Sequence, residues 1–151
     1  MAIDPSPAIL RVEAILLGLS GSPTLTAYVG PPAALGGSVN AYIAGDVWTI
    51  NDKTPGLVEH TVDISVTFAY RTGAGVRAAE LAIMTRAGLF YTAMLNERRS
   101  NDPGSLRALG WSFPVNYPSF ARAADPQYTA IAGQEFRLYP GIVRITAQES
   151  Y

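Results

Sequence analysis

Val58-Glu59-His60-Thr61-Val62-Asp63-Ile64-Ser65-Val66-Thr67-Phe68-Ala69-Tyr70-Arg71 decides the fold. Val58, Val62, Ile64, Val66, Phe68 and Tyr70 fall on even positions. Glu59, Thr61, Asp63, Ser65, Thr67 and Arg71 fall on odd ones. A period of two puts one set on a buried face and the other in water. Such alternation belongs to an antiparallel sheet with a solvated face, not to a parallel sheet buried on both sides. Upstream, Asn40–Ile50 carries Tyr42, Ile43, Val47, Trp48 and Ile50, with an interruption at Gly45-Asp46. The turn-forming run Asn51–Gly56 separates the two segments, so they are read as one long β-hairpin. Tyr42 and Trp48 are expected on a shared face of their strand.

Downstream, Gly73-Ala74-Gly75 breaks the strand, and a helix is predicted from Val76 to about Arg98. Val76, Ala79, Ile83, Ala87, Phe90 and Met94 recur at spacings of three and four, and Leu81, Tyr91 and Leu95 widen that face. Near the N-terminus, Asp4-Pro5-Ser6-Pro7 reads as a helix start. Ile9, Val12, Leu16 and Leu19, broadened by Leu10 and Leu17, mark an amphipathic helix over about 6–19, stopped at Gly21. A short strand is expected over Thr24–Val29, ended by Gly30-Pro31-Pro32, and a Gly/Ala-rich loop follows over 33–38. Ser100–Gln127 reads as a long loop with a turn at Asn101–Gly104 and a possible short strand at Leu109–Phe113. Two or three strands close the sequence, punctuated by Gly133 and Pro140-Gly141, the last being Ile142–Ala147. Residues 1–151 thus read as a single α+β domain: an antiparallel, in part mixed, β-sheet with a long β-hairpin, packed on one face by a short N-terminal helix and one long central helix.

Composition narrows the function. Hydrophobic residues make up 48% of the 151 and charged residues only 15%, which suits a folded chain whose surface is partly covered by partners. Ten of the eleven basic residues are Arg, Lys53 being the sole Lys, and Arg favours planar interface contacts. The net charge of −1 argues against a general polyanion binder. Having no cysteine excludes a disulfide framework, a thiolate zinc site and cysteine catalysis. The one histidine, His60, excludes an HExxH metal site. In phase with the apolar face, His60 reads as a structural hydrogen-bonding group rather than a triad member. No signal peptide or transmembrane helix is expected, since Met1–Pro7 has no basic stretch and Ala14–Leu19 is too short to span.

Gly73-x-Gly75-x-x-Ala78 has the spacing of a dinucleotide fingerprint, but the alternating strand before it is not the start of a βαβ unit. The plain reading is a strand-to-helix turn. No cofactor, metal site or catalytic residue is assigned, and an enzyme is not expected. Arg98, Arg99, Arg107 and Arg122 lie near Trp111, Phe113, Tyr117 and Phe120. That mixture could serve single-stranded nucleic acid, but Asp102 and Asp125 dilute it. A protein–protein interface rich in Trp, Tyr and Arg explains it more simply.

In order and spacing the chain resembles the tail terminator family of long-tailed bacteriophages, also called tail completion or minor tail proteins. The resemblance runs from the helix with Ile9, Val12 and Leu16, through Tyr28-Val29-Gly30-Pro31-Pro32, to the hairpin ending Val62–Phe68 and the helix after Arg71-Thr72-Gly73. It is strongest in Tyr128–Ala132, Gly133-Gln134-Glu135-Phe136-Arg137 and Ile142-Val143-Arg144-Ile145-Thr146. It implies a structural virion protein at the tail–neck junction, assembled in the host bacterial cytoplasm. Its subunits form a homohexameric ring that caps the tail tube, stops tube polymerisation and offers a surface for head joining. The implied partners are other copies of the chain, the tail tube protein and a head–tail connector or head-completion protein, with no sequence-specific nucleic acid and no membrane. The interface residues expected are Trp48, Asp52, Lys53, Arg71, Arg98, Arg99, Trp111, Phe113, Tyr117, Phe120, Arg137 and Tyr139. Alternatives are another neck protein on the portal side, or a small anion- or nucleotide-binding module using the Gly73–Ala78 turn. If exposed loop aromatics make the ring contacts, Trp111→Ala or Phe113→Ala blocks head joining in an assembly assay without unfolding the monomer.

Overall fold

The structure, a computed structural model, describes residues 3–19, 25–28, 30, 39–74, 76–112, 119–120 and 127–151. The expectations placed on Gly21, Val29, Pro31, Pro32, the 33–38 loop, Gly75, Phe113, Tyr117, Arg122 and Asp125 lie outside the described residues. The elements in chain order are α1 (Ser6–Gly18), β1 (Leu25–Tyr28), β2 (Val39–Thr54), β3 (Leu57–Arg71), a 3-10 turn (Thr72–Ala74), α2 (Val76–Glu97), β4 (Ser119–Phe120), β5 (Gln127–Ile131) and β6 (Gln134–Ser150). They form one mixed sheet in the order β1-β2-β3-β6-β4, with β5 also paired to β6. The α+β reading, with an N-terminal helix and a central one, is the fold found.

The alternating strand β3 lies at the centre. It pairs antiparallel with β2 from Leu57 to Tyr70 and with β6 along its whole length, from Leu57↔Ser150 to Arg71↔Phe136. Its even positions Val62, Ile64, Val66 and Phe68 are fully covered, and at this end of the strand Thr67 and Ala69 are buried on the other face as well, where the alternation predicts water. The helices lie on the even face. From α1 come Ala8, Val12 and Leu16, and from α2 come Ile83, Ala87, Phe90 and Met94. Phe68 meets Phe90 ring to ring at 6.3 Å and 58°. On the opposite face Ala69 and Phe136 form a second, small cluster with Tyr28, Tyr42, Ile131 and Leu138 against them. Leu81 and Tyr91, expected to widen the core face of α2, are exposed instead, as are Leu10 and Leu17 on α1.

Four details differ from the sequence reading, each for a local reason. First, the Gly45 interruption is a β-bulge: Ile43 pairs with Val66 and Gly45 with Ser65, so Ala44 has no partner. One extra residue inverts the alternation beyond it. Val39, Ala41 and Ile43 face the helices before the bulge, and Asp46, Trp48, Ile50 and Asp52 share that face after it, opposite Ile64, Val62, His60 and Val58. Tyr42 and Trp48 therefore lie on opposite faces. Second, β6 does not break at Pro140-Gly141. Its outer edge passes from β5, ending at Leu138, to β4, starting at Gly141, so Pro140 sits where no donor is required on that side. Third, the described part of the expected 109–113 strand, residues 109–112, holds a turn at Leu109-Gly110 and a single bridge from Ser112 to Thr146. Fourth, β1 runs parallel to β2 and covers only Val39–Tyr42.

The β5–β6 hairpin turns through Ala132 and Gly133, both at positive φ (52° and 78°). A two-residue turn with both central residues left-handed favours Asn-Gly, because Asn tolerates that conformation better than Ala. Ala132→Asn is expected to raise stability by about 0.5–1 kcal/mol in chemical denaturation.

Candidate functional site

The sheet is longer than its helical cover. Burial along β2 ends at Ile43, and every residue from Ala44 to Thr54 is exposed. Since β1 stops opposite Tyr42, β2 has no outer strand among the described residues beyond that point. The overhang ends at the Pro55-Gly56 turn. Gly56 has φ +86°, and an added Cβ would lie 3.3 Å from the Tyr151 carbonyl oxygen, so glycine is required there.

The open edge carries an unusual helix-side row: Asp46, Trp48, Ile50 and Asp52. Trp48 is 47% exposed and Ile50 55%, and Val47 on the other face is 64% exposed. Trp48 is nonetheless fixed. Its Nε1 donates to His60 Nδ1 at 3.2 Å, and the two rings stack 5.7 Å apart at 24°. An indole N–H can only donate, so Nδ1 accepts, which leaves the ring proton on Nε2. That nitrogen donates to Glu149 Oε2 at 2.8 Å. His60, only 4% exposed, is thus the structural hydrogen-bonding group expected from its position, and it holds an exposed tryptophan in one orientation. An edge residue fixed in this way loses little side-chain entropy on binding. Glu149, which orients the histidine, is a residue the sequence reading missed, because it is 89 positions away.

A second surface surrounds the end of α2. Glu97, 5% exposed, accepts from Arg11 Nε at 3.1 Å, from Arg11 Nη2 at 2.8 Å and from the Leu106 backbone N–H at 2.9 Å. The carboxylate raises the Arg11 pKa above its ordinary value, chiefly by hydrogen bonding. This cluster ties α1, α2 and the following loop together. The loop then buries Ser105, Leu106 and Trp111, and Trp111 N–H donates to Leu106 O at 2.9 Å. Beside it is a cavity of about 170 Å³ lined by Glu97, Arg98, Leu106, Arg107, Trp111 and Ser112.

The expected interface residues separate into groups. Trp48, Asp52, Lys53, Arg71, Arg98 and Arg99 are exposed. Lys53 pairs with Glu59 at 3.1 Å, and Arg71 lies 6.0 Å over the Phe136 ring. Trp111 corrects the expectation of an exposed loop aromatic: it is 4% exposed and part of the main core, because Glu97 draws the loop inward. Arg137 is engaged within the fold, 3.4 Å from Glu80 and 5.7 Å from the Tyr128 ring centroid. Tyr139, opposite Phe68, packs partly buried on the same core. Phe120 pairs with Gly141 in β4, and Phe113 and Tyr117 lie outside the described residues. The Gly73–Ala78 turn joins a strand flanked by antiparallel neighbours on both sides, a setting unlike a dinucleotide βαβ unit.

The two tryptophans should therefore respond differently to truncation. Trp111→Ala is expected to cost about 3–5 kcal/mol, as for other buried large-to-small changes. Trp48→Ala should cost about 1 kcal/mol, the worth of its hydrogen bond to His60. Chemical denaturation of each variant measures both, and Trp48→Ala is the variant that tests a surface role. No protein-family model matches the chain, and no curated protein matches it significantly in sequence.

Proposed function

We propose that the chain is a structural subunit of the tail terminator kind, one that assembles into a homohexameric ring on the end of a phage tail tube, stops further tube growth and presents a head-joining surface. Its role is geometric rather than catalytic: a ring that matches the growing end but offers no equivalent end of its own halts polymerisation. The observation that carries this reading is the overhanging β2 edge, with Trp48 and Ile50 exposed beside backbone groups that no outer strand pairs among the described residues. An open edge risks unwanted pairing; here Asp46, Asp52 and Lys53 blunt it against indiscriminate partners, while the exposed Val47, Trp48 and Ile50 suit a chain whose working state covers it. The low charge content and the preference for Arg over Lys support the same reading. So does the order of helix, hairpin, long helix and closing strands, which accords with the resemblance seen in the sequence.

A ring needs contacts in which one patch meets a different patch on the next copy. Many ordinary interfaces acting together would then hold it to the tube. Light scattering on the purified protein, alone and with its tail tube protein, tests this, followed by negative-stain imaging. The expected result is a particle near six times 16.1 kDa, free or seated on tube ends, and tubes of limited length. A monomer that leaves tube ends bare and tube growth unchanged would overturn the reading. Binding to portal-side proteins would then point to a different neck component, and a saturable thermal shift with nucleotide to a ligand-binding module.

A further inference from the structure

Register places the two surfaces described above at the same level of the sheet, on opposite edges. Thr49 on β2 pairs with Thr61 on β3, Thr61 with Thr146 on β6, and Thr146 with Ser112. Three strand spacings separate the ends of this row, about 14 Å. At one end, Trp48 and Ile50 flank Thr49. At the other, Ser112 lines the cavity rimmed by Arg98 and Arg107. Both surfaces lie on the helix side. Trp48 stands opposite Val62 on the face that α2 covers, and the cavity is bounded by Glu97 at the end of α2.

The charges are complementary. The β2 row carries Asp46 and Asp52, both exposed and without an ion pair among the described residues. The far edge carries Arg98, Arg99 and Arg107, all exposed, with Arg98 also engaged within the fold; of the nearby acids, Glu97 is bound by Arg11 and Asp102 lies 3.8 Å from the same arginine. Guanidinium groups pair with carboxylates in a planar, bidentate manner and stack on indole faces. One edge thus offers acid, Trp, Ile and acid, and the opposite edge offers arginines around an apolar hollow.

We propose that the partner at each of these edges is a second copy of this chain, with the Asp46–Asp52 edge of one copy docked on the Arg98–Arg107 rim of the next. The contact is heterologous, because the two patches lie at opposite ends of one sheet row and each copy keeps one of each. It rests on the ring reading and names the surfaces that would close the ring. Asp46 and Asp52 meet the rim arginines, and Trp48, held by His60, presents its indole between them.

Charge exchange tests this with substitutions at exposed positions. Asp46→Arg with Asp52→Arg makes both edges of a copy basic, and Arg98→Glu with Arg107→Glu makes both acidic. Circular dichroism melting should show each double variant folded. Each alone is expected to be monomeric by light scattering, with association weakened at least 100-fold. Mixed in equal amounts, they should return to the wild-type mass in alternation, since each basic edge then meets an acidic one. If the wild-type protein forms a ring and either double variant still does so alone, or the mixture stays monomeric, this pairing of edges is wrong and the ring closes elsewhere. If the wild-type protein is monomeric alone and on tube ends, the ring reading fails and takes the interface with it.

Discussion

The structure depends on a mismatch of length. β3 is paired on both sides over nearly all its fifteen residues, and an extended strand of that length reaches about 50 Å. The longest helix, α2, has 22 residues and reaches about 33 Å. The helices bury the end of the sheet nearest them, where Val66, Phe68, Phe90 and Leu16 form the core. Past their reach, β3 and β6 keep Val62, Ile145 and Ala147 buried in the same core as Leu106 and Trp111, while β2 beyond Ile43 is exposed. The internal order of this three-stranded ribbon comes from its own side chains. On one face His60 links Trp48 to Glu149, and on the other Arg144 grips Asp63 with two hydrogen bonds of 2.7 and 2.9 Å. The ribbon is therefore built at the same time as an extension of the core and as a surface.

That division explains which features could be read from the amino acids. β3 was legible because its period of two is strict, and α2 because its core residues recur at three and four. Gly45 was legible as an interruption, but not its effect on orientation. A bulge acts by shifting everything after it, so Trp48 could be assigned a face only once the unpaired residue, Ala44, was known. Pro140-Gly141 looked like a strand end because proline lacks a donor. Whether that matters depends on which neighbour lies alongside, and here one edge partner gives way to another at that point.

The candidate site divides along the same line. Exposed Arg98 and Arg99 could be expected from a helix end, where charge usually meets water; Asp52 and Lys53, expected in a turn over Asn51–Gly56, are exposed within β2, which runs on to Thr54 and leaves only Pro55-Gly56 as the turn. Trp111 could not be placed in the core without Glu97, since nothing local distinguishes an aromatic on a loop from one folded beneath it. The Glu97–Arg11 pair joins residues 86 positions apart, and the His60–Glu149 pair residues 89 apart. Such partners have no periodic signature. They are specified by topology, which sets which segments become neighbours, and buried polar groups then need partners among them.

The bulge at Ala44 also bears on how such a protein can change over generations. Faces along β2 are assigned by counting residues, so gain or loss of a single codon at this point would turn Asp46, Trp48, Ile50 and Asp52 over to the other side of the sheet while leaving the composition almost untouched. Point substitutions at exposed edge positions alter a contact gradually; an indel at the bulge would exchange one entire outward-facing alphabet for another in one step. The unpaired alanine is thus a hinge in the reading frame of the surface, a place where lineages could acquire new binding specificity abruptly and with the core left intact.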